Sequence, residues 1–408
     1  MPVPPLRLAC VVALVLTCGT LGCEPTRPDP SNSHTSKTQT TQTATEDEPA
    51  PLLGEESNPA ALPETPPTAP PVYADPIPEP HPDDEVSVKR PFLTRADIEA
   101  YAAARPALND PTDPRALHFA ECGEGLLLLD GLRNLAPEEL ALLGDSPAMC
   151  LYLDDLSALN TAAAKALATF PGDRLSLAKL PLLDPEAATQ LATWSGRWLF
   201  LDGLSTLDAA TAEAMAKWTG AVLSLNGLER LETSAATALA TWSGFDLRLN
   251  QVARLNLDAV DALTKWQGTL LHLDGLRALE AEAAAHLASW SVGLRLYLNG
   301  LESLDADAAA HLASWNGTQL HLNGLKAIDA AAAQALVPWD GRYISLDGIT
   351  QLDADAAQAL AQWKGEVLSL NGLRNIDRHT VEALSNRAVE FLYAESLDPV
   401  TRAALRLD

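Results

Sequence analysis

The sequence predicts an α/β solenoid, about eleven strand-turn-helix repeats with a parallel sheet on one face and helices on the other. Three observations predict it. An LxL pair recurs with its first apolar residue at Leu127, Leu151, Leu175, Leu199, Leu223, Leu247, Leu271, Leu296, Leu320, Ile344 and Leu368, in steps of 24 residues with a single 25 where residues 291–293 add one. Within each unit the apolar spacing switches from alternation to intervals of three and four. Eight of the nine Trp hold one column of the repeat. A fixed period of this size marks a solenoid, whose units cannot bury an apolar face alone and must stack to share a core.

The unit spanning 223–246 shows each element in order. Leu223 and Leu225 alternate, as in a short half-buried strand. Asn226-Gly227 turns the chain, and Leu228 and Leu231 point inward from the turn. Glu232 stands where a helix should start, a place taken elsewhere by Asp184, Asp208, Asp305, Asp329, Asp353 and Asp377. A carboxylate there accepts the unpaired N–H groups of the first helical turn. Ala235, Ala236, Leu239 and Trp242 lie three and four apart and share one helix face. Gly244 is expected to close the helix at positive φ. The small Ala pairs let helix and strand approach. Trp194, Trp218, Trp242, Trp266, Trp290, Trp315, Trp339 and Trp363, preceded by Phe170, then form a buried spine at the wider end of the wedge. The other reading of this column is a ligand-binding Trp ladder.

The LxL strand, the Asn or Asp near its end, the further Leu and the 24-residue length together resemble the leucine-rich-repeat superfamily, over roughly residues 125–392. The closest flavour is a bacterial variant with Ala-rich helices. The resemblance implies strands on the concave side of a horseshoe, helices on the convex side, and protein–protein recognition. The family pattern LxxLxLxxNxL places Asn three residues after the second strand Leu. Here Asn226, Asn250, Asn299, Asn323 and Asn371 follow it immediately. They read either as the family's internal ladder or as turn-forming strand-end caps.

Residues 1–23 read as a secretory signal, with Arg7 before a short apolar run over residues 8–16 that is too short to span a membrane. Thr20-Leu21-Gly22-Cys23 resembles a bacterial lipoprotein signal. That resemblance implies lipidation of Cys23 and anchoring at the cell envelope, in the outer membrane or at the cell surface. An ordinary cleaved signal and a secreted soluble protein is the alternative. Residues 24–92 hold 16 of the 29 Pro and a Thr/Gln/Ser run, and read as a disordered Pro/Thr/acid-rich tether. A chain of this length reaches on the order of 50 Å. Residues 93–124 are expected to form an N-terminal cap, with Thr94 capping a helix whose face carries Ile98 and Tyr101, and with Leu117 and Phe119 in a degenerate strand. The solenoid then spans residues 125–390. Residues 391–408 form a C-terminal cap, with a last strand at 391–393 and a closing helix over 398–407.

With Cys10 and Cys18 in the signal and Cys23 lipidated, Cys122 and Cys150 remain. Export makes a disulfide between them possible, and buried free thiols are the other reading. No P-loop, GxSxG or HExxH motif is present, so no enzyme activity and no cofactor are expected. His286 and His311 occupy the same place in adjacent units and could share a metal. Copying of the repeat explains them equally, and two ligands make a poor site, so no metal is assigned. The net charge of −26 argues against nucleic acid.

The informative column is the strand face. Side chains alternate along a strand, so Arg174/Ser176, Trp198/Phe200, Val222/Ser224, Asp246/Arg248, Leu270/His272, Arg295/Tyr297, Gln319/His321, Tyr343/Ser345 and Val367/Ser369 point away from the core. A strongly acidic chain thus places a neutral-to-basic, aromatic strip on its sheet. Trp198, Phe200, Arg248, His272, Arg295, Tyr297, His321 and Tyr343 are the candidate binding residues, since Tyr, Trp and Arg anchor interfaces. Replacing Arg248, His272, Arg295 and Tyr297 together with Ala is expected to leave the fold intact and abolish binding. The bland reading pairs these residues with Asp202, Asp274 and Asp347 at the strand ends. The functional expectation is a binding module for a protein partner. A structural or adhesion spacer of the envelope, or a glycan-binding surface, is the alternative.

Overall fold

In the structure, a computed structural model, each LxL segment pairs with the next. The structure describes residues 94–98, 122, 125–129 and 131–407. The signal-like segment with Cys23, the tether, Tyr101, Leu117 and Phe119 lie outside the described residues. Among the described residues twelve strands form one sheet in sequence order. They are β1 (Leu126–Leu128), β2 (Cys150–Tyr152), β3 (Arg174–Ser176), β4 (Trp198–Phe200), β5 (Val222–Ser224), β6 (Asp246–Arg248), β7 (Leu270–His272), β8 (Arg295–Tyr297), β9 (Gln319–His321), β10 (Tyr343–Ser345), β11 (Val367–Ser369) and β12 (Phe391–Tyr393). Every described pairing is parallel, with Leu223 beside Leu247 and Leu247 beside Leu271. The inserted residue is absorbed before β8, so that Leu271 still meets Leu296. A short helix follows each strand, making this an α/β solenoid. The twelfth strand, Phe391–Tyr393, is the last strand expected of the C-terminal cap, and it pairs with β11.

The middle residue of each strand faces the helices. Leu175, Leu199, Leu223, Leu247, Leu271, Leu296 and Leu320 are fully buried, as are the helix residues Ala235, Ala236 and Leu239. Each such Leu contributes about 1.5–3 kcal/mol by leaving water. The Trp column is the buried spine, no member being more than 2% exposed. Successive indoles from Trp194 to Trp363 stack with centroids 5.8–6.1 Å apart and planes within 13° of parallel. Phe170 begins the stack at 6.4 Å from Trp194. That spacing exceeds the ~4.8 Å between strands, so the indoles fill the wider side of each wedge. The column also carries a hydrogen-bond ladder. Trp218 Nε1 donates to the Trp194 carbonyl at 3.0 Å, and Trp194, Trp266, Trp290, Trp315, Trp339 and Trp363 donate likewise to the aromatic residue one repeat earlier.

Helix entry follows the expected chemistry for Asp and not for Glu. The side chains of Asp184, Asp208, Asp305, Asp329, Asp353 and Asp377 each accept the N–H three residues on. Glu232 and Glu280 stand at the same place without a side-chain cap, because the extra methylene carries the carboxylate past the first-turn N–H groups. Thr94 and Asp97 cap each other at the described N-terminal helical turn, and Ile98 joins the main core.

At the turns one expectation changes and one open choice is decided. Gly244 does not serve a positive φ; Gly131 alone among the described glycines has one. A Cβ on Gly244 would stand 2.0 Å from Trp242 Cζ2, so the glycine makes room for the indole. Gly227 does the same for the stack, since its Cβ would stand 2.0 Å from the Asp202 carbonyl oxygen. The Asn column, in turn, is an internal ladder shared with Asp. Asp202 accepts Asn226 N–H at 2.9 Å, Asn226 accepts Asn250 N–H at 3.1 Å, and Asn299 accepts Asn323 N–H at 3.0 Å. Asp274, Asn323, Asp347 and Asn371 continue the pattern. A single carboxyl or amide oxygen per unit thus satisfies a turn N–H that the three-residue strands leave over.

At the ends, Cys122 and Cys150 form a disulfide with Cα atoms 5.9 Å apart. Cys150 is the first residue of β2, with its side chain on the strand face, and Cys122, Leu126, Cys150 and Tyr152 make a small apolar cluster apart from the main core. The bond therefore ties the preceding chain to the strand face. The C-terminal helix is shorter than expected, Pro399–Ala404, and none of its residues is buried. Leu405 beyond it is fully buried.

Candidate recognition site on the strand face

The outward residues of each strand form two columns, because parallel in-register pairing repeats the same face every unit. Asp246, Leu270, Arg295, Gln319 and Tyr343 stand in one; Arg248, His272, Tyr297, His321 and Ser345 stand in the other. Across β6–β10 this is a strip roughly 20 Å long at ~4.8 Å per strand.

The side chains are organised by one another. Arg248 Nη2 donates to Asp246 Oδ2 at 2.9 Å, with Nε 3.3 Å from both carboxylate oxygens. His272 Nε2 approaches Asp246 Oδ1 at 3.2 Å from the next strand. Asp246 is only 4% exposed. Burial pushes its carboxyl up, but contacts from His272 and Arg248 and their charges outweigh burial and hold it below the usual carboxylate range. Next along, the rings of His272 and Tyr297 stack at 4.0 Å and those of Tyr297 and His321 at 4.3 Å, nearly parallel. Tyr343 closes the run, tilted 40° to His321 at 5.1 Å. Burial raises the Tyr297 hydroxyl above its ordinary value, against the nearby Arg295 charge. Burial, helped by the Arg295 charge and by the electrostatic influence of His272 and opposed by Asp347, pushes His321 down to about 4. Its Nε2 is buried and has no hydrogen-bond partner among the described residues. Arg295 is half-buried and makes no ion pair among the described residues.

The expected strip is thus brought together from Arg248 to Tyr343, and it is half-buried, because each ring covers its neighbour's face. Trp198 and Phe200 are set apart from it. The guanidinium of Arg174 lies 4.8 Å from the Trp198 ring and 5.8 Å from the Phe200 ring, while Arg248 reaches Trp198 at 5.9 Å across the small Val222 and Ser224. Phe200 and Arg174 are buried, at 5% and 4% exposed. The strand-end acids form no ion pair with the strip's Arg and His residues among the described residues. Asp202, Asp274 and Asp347 accept backbone N–H groups, and Asp202 and Asp347 also take the hydroxyls of Ser224, Ser345 and Ser369.

Asp246 is the organising residue that sequence reasoning left out of the candidate set. The signal was there: it is the lone acid among the outward positions, with Arg248 two residues on. Its importance also changes the expected test. Removing Arg248 and His272 together would strand a buried carboxylate, and removing one partner of a buried ion pair costs about 3–5 kcal/mol. That variant would not leave the fold intact.

His286 Nδ1 faces Asp261 Oδ1 of the preceding helix at 3.7 Å, and His311 is exposed. Among the described residues no group of three His, Cys, Asp or Glu is placed to hold a metal ion, and no helix is long and apolar enough to cross a membrane. A shallow pocket of about 280 Å³ opens by Leu182, Thr206 and Asp208, away from the strip.

No protein-family model matches the sequence, and no curated protein matches it. Solved structures similar to the chain are repeat proteins. A chain of the Toll–Spatzle complex of Drosophila is 14% identical with a TM-score of 0.43, over 66% of this chain and 39% of that one. An internalin (InlF) of Listeria monocytogenes is 13% identical with a TM-score of 0.37, over 71% and 90%. An LRR protein of Leptospira interrogans is 18% identical with a TM-score of 0.33, over 64% and 75%. The chain therefore spans about two fifths of the Toll-complex chain, at 39%.

Proposed function

We propose that this chain is a non-enzymatic recognition module of the cell envelope, exported, anchored through lipid on Cys23, and binding a protein partner on the strand face of its solenoid. The observation that carries the reading is the strip itself. On a chain of net charge −26, the sheet gathers Arg248, His272, Arg295, Tyr297, His321 and Tyr343 in one run, in which Arg295 makes no ion pair among the described residues. Arg and Tyr held rigid by their neighbours lose little entropy on binding and so make effective anchors. The stacking also bears on the glycan alternative. Sugars pack on open aromatic faces, whereas His272, Tyr297 and His321 cover one another's faces and offer edges. What favours the spacer reading is that Asp246 holds Arg248, with His272 Nε2 3.2 Å from the same carboxylate.

The test uses the full chain and a variant that spares the Asp246 cluster, Arg295→Gln with His321→Asn and Tyr343→Ser. Affinity capture from envelope extracts should recover a protein with the parent chain and lose it with the variant, at unchanged circular dichroism. Equal recovery by both would discard the strip as the binding surface and leave the spacer reading. Anchoring is tested separately: Cys23→Ser should move the protein from the membrane to the soluble fraction.

A further inference from the structure

Among the described residues no strand lies beyond β12. Its backbone shows which groups that leaves over. Phe391 N–H donates to the Glu366 carbonyl at 2.8 Å, and the Tyr393 carbonyl accepts Leu370 N–H at 2.7 Å. Residues 391 and 393 therefore turn their backbone groups toward β11. The N–H and C=O of Leu392 between them point the other way, because the bonding direction alternates along a strand. On the interior strands the next strand meets these groups; beside β12 no described residue does. A strand edge of this kind is a template for another chain.

The side chains at this edge also differ from those of the interior strands. Phe391 and Tyr393 stand on the strand face at 50% and 45% exposed, where β11 carries Val367 and Ser369. Val400 on the following helix is more exposed still, and no residue of that helix is buried. Charge does not guard the edge. Over residues 387–407, Arg387, Arg402 and Arg406 balance Glu390, Glu395 and Asp398, on a chain of net charge −26. The acidic surface elsewhere is screened beyond a Debye length of ~8 Å.

We propose that β12 is a dimerisation edge, which pairs antiparallel with β12 of a second copy of this chain about a twofold axis beside Leu392. An antiparallel pair exchanges two hydrogen bonds at one residue pair and none at the next. With Leu392 opposite Leu392 of the second copy, both of its outward backbone groups are used in each chain. The same register sets Phe391 opposite Tyr393 of the second copy, and Tyr393 opposite Phe391. These are the closely spaced pairs, with Cα atoms ~4.5 Å apart, and aromatic side chains are favourable partners there. One register thus uses every feature that the edge presents. The axis stands normal to the sheet, so both strand faces lie on one side and both helical layers on the other. Such a contact closes at two copies. Head-to-tail addition would instead set Phe391 beside Leu126 of β1, whose outward side chain is already buried in the cluster with Cys122, Cys150 and Tyr152. The dimer would carry two copies of the strand face on one continuous sheet, and a partner with two epitopes could engage both at once. The pairing itself does not depend on the strand face binding anything.

The test is sedimentation velocity of the full chain over about 1–200 µM, with Cys10→Ser, Cys18→Ser and Cys23→Ser to bar disulfides between copies. A monomer–dimer equilibrium is expected, with no larger species. Phe391→Asp with Tyr393→Asp sets like charges opposite each other across the axis and should weaken the dimer at least tenfold. Phe391→Lys with Tyr393→Lys should do the same. An equimolar mixture of these two variants should restore a dimer to within fivefold of the parent, because each Asp then meets a Lys. Amide exchange in the chain with Phe391 and Tyr393 intact gives a reading that does not depend on how those variants fold. The Leu392 N–H should slow at least fivefold between 1 and 200 µM, while the Leu223 N–H in mid-sheet stays unchanged. A chain still monomeric at 200 µM, a dimer indifferent to the Asp pair, an Asp–Lys mixture that stays apart, or a Leu392 amide indifferent to concentration would each overturn the edge contact. Growth beyond the dimer would overturn the twofold register in favour of head-to-tail addition.

Discussion

Asp246 and Arg248 stand two residues apart on one three-residue strand, and their side chains meet on the strand face at 2.9 Å. His272 joins them from the next strand at 3.2 Å. Asp246→Asn keeps the shape and removes the charge, leaving the guanidinium and imidazole facing a neutral amide. A loss of about 2–3 kcal/mol is expected, since hydrogen bonds to charged groups contribute ~1.5–3 kcal/mol each. The sign with pH is fixed by the depressed carboxyl. Its stabilisation is present above the unfolded value of 3.8 and is lost as pH falls through the lower folded value. Urea unfolding at pH 7 and pH 3 checks both. The gap between parent and variant should shrink in acid, and a gap that widened would show that Asp246 is not ionised in the folded chain.

His321 also loses stability as pH falls, but over a higher window. Its folded value, about 4, lies below the ordinary 6.5, so the unfolded chain takes up the proton first. Stability at this residue is complete above pH 6.5 and falls as the pH drops toward 4. Thermal midpoints measured between pH 7 and pH 4 should decline less steeply in His321→Asn than in the parent. Parallel curves would mean that the ring is not held neutral.

Trp218 donates its indole N–H to the Trp194 carbonyl at 3.0 Å. Trp218→Phe keeps an aromatic ring in the stack, as Phe170 does naturally, but leaves that buried carbonyl short of its donor. The expected cost is about 2–3 kcal/mol from the unmet carbonyl and the small void. Because repeats contact mainly their neighbours, amide exchange should quicken most in the units flanking residue 218. Uniform quickening from β1 to β12 would show that the stack is not the local fastener it is taken to be.

Gly244 carries a different kind of constraint. Gly244→Ala places a methyl 2.0 Å from Trp242 Cζ2, so the indole must move and the stack with it. A loss of about 1–3 kcal/mol is expected from overpacking, with a change in near-ultraviolet circular dichroism from the disturbed indoles. A stabilised variant would return Gly244 to a simple helix-ending role.

Much of this architecture is legible in the chain because it is periodic. Leu223, Leu247 and Leu271 recur every 24 residues, and a repeated apolar pattern has few ways to hide itself other than by stacking units side by side. Asp305 and its equivalents announce the helix starts for a similarly local reason, a short carboxylate reaching the N–H three residues on. The outward position of Arg295, Tyr297 and His321 also follows from strand alternation alone.

What periodicity does not carry is contact between units across the face. That Tyr297 lies between His272 and His321 at 4.0 and 4.3 Å depends on rotamers chosen among neighbouring strands. So does the capture of Arg248 by Asp246, which leaves Arg295 as the open cation. The glycine after each Trp looks like a helix terminator in one unit and proves to be clearance for an indole, because a clash at Gly244 exists only once Trp242 is folded over it. The Asn/Asp column reads as a turn in one dimension and becomes a ladder in three, since Asn226 meets Asn250 only when the units are stacked. Spacing along the chain specifies which side chains share a column. Which of them satisfy each other, and which stay open to a partner, is set by the energies of packing columns together.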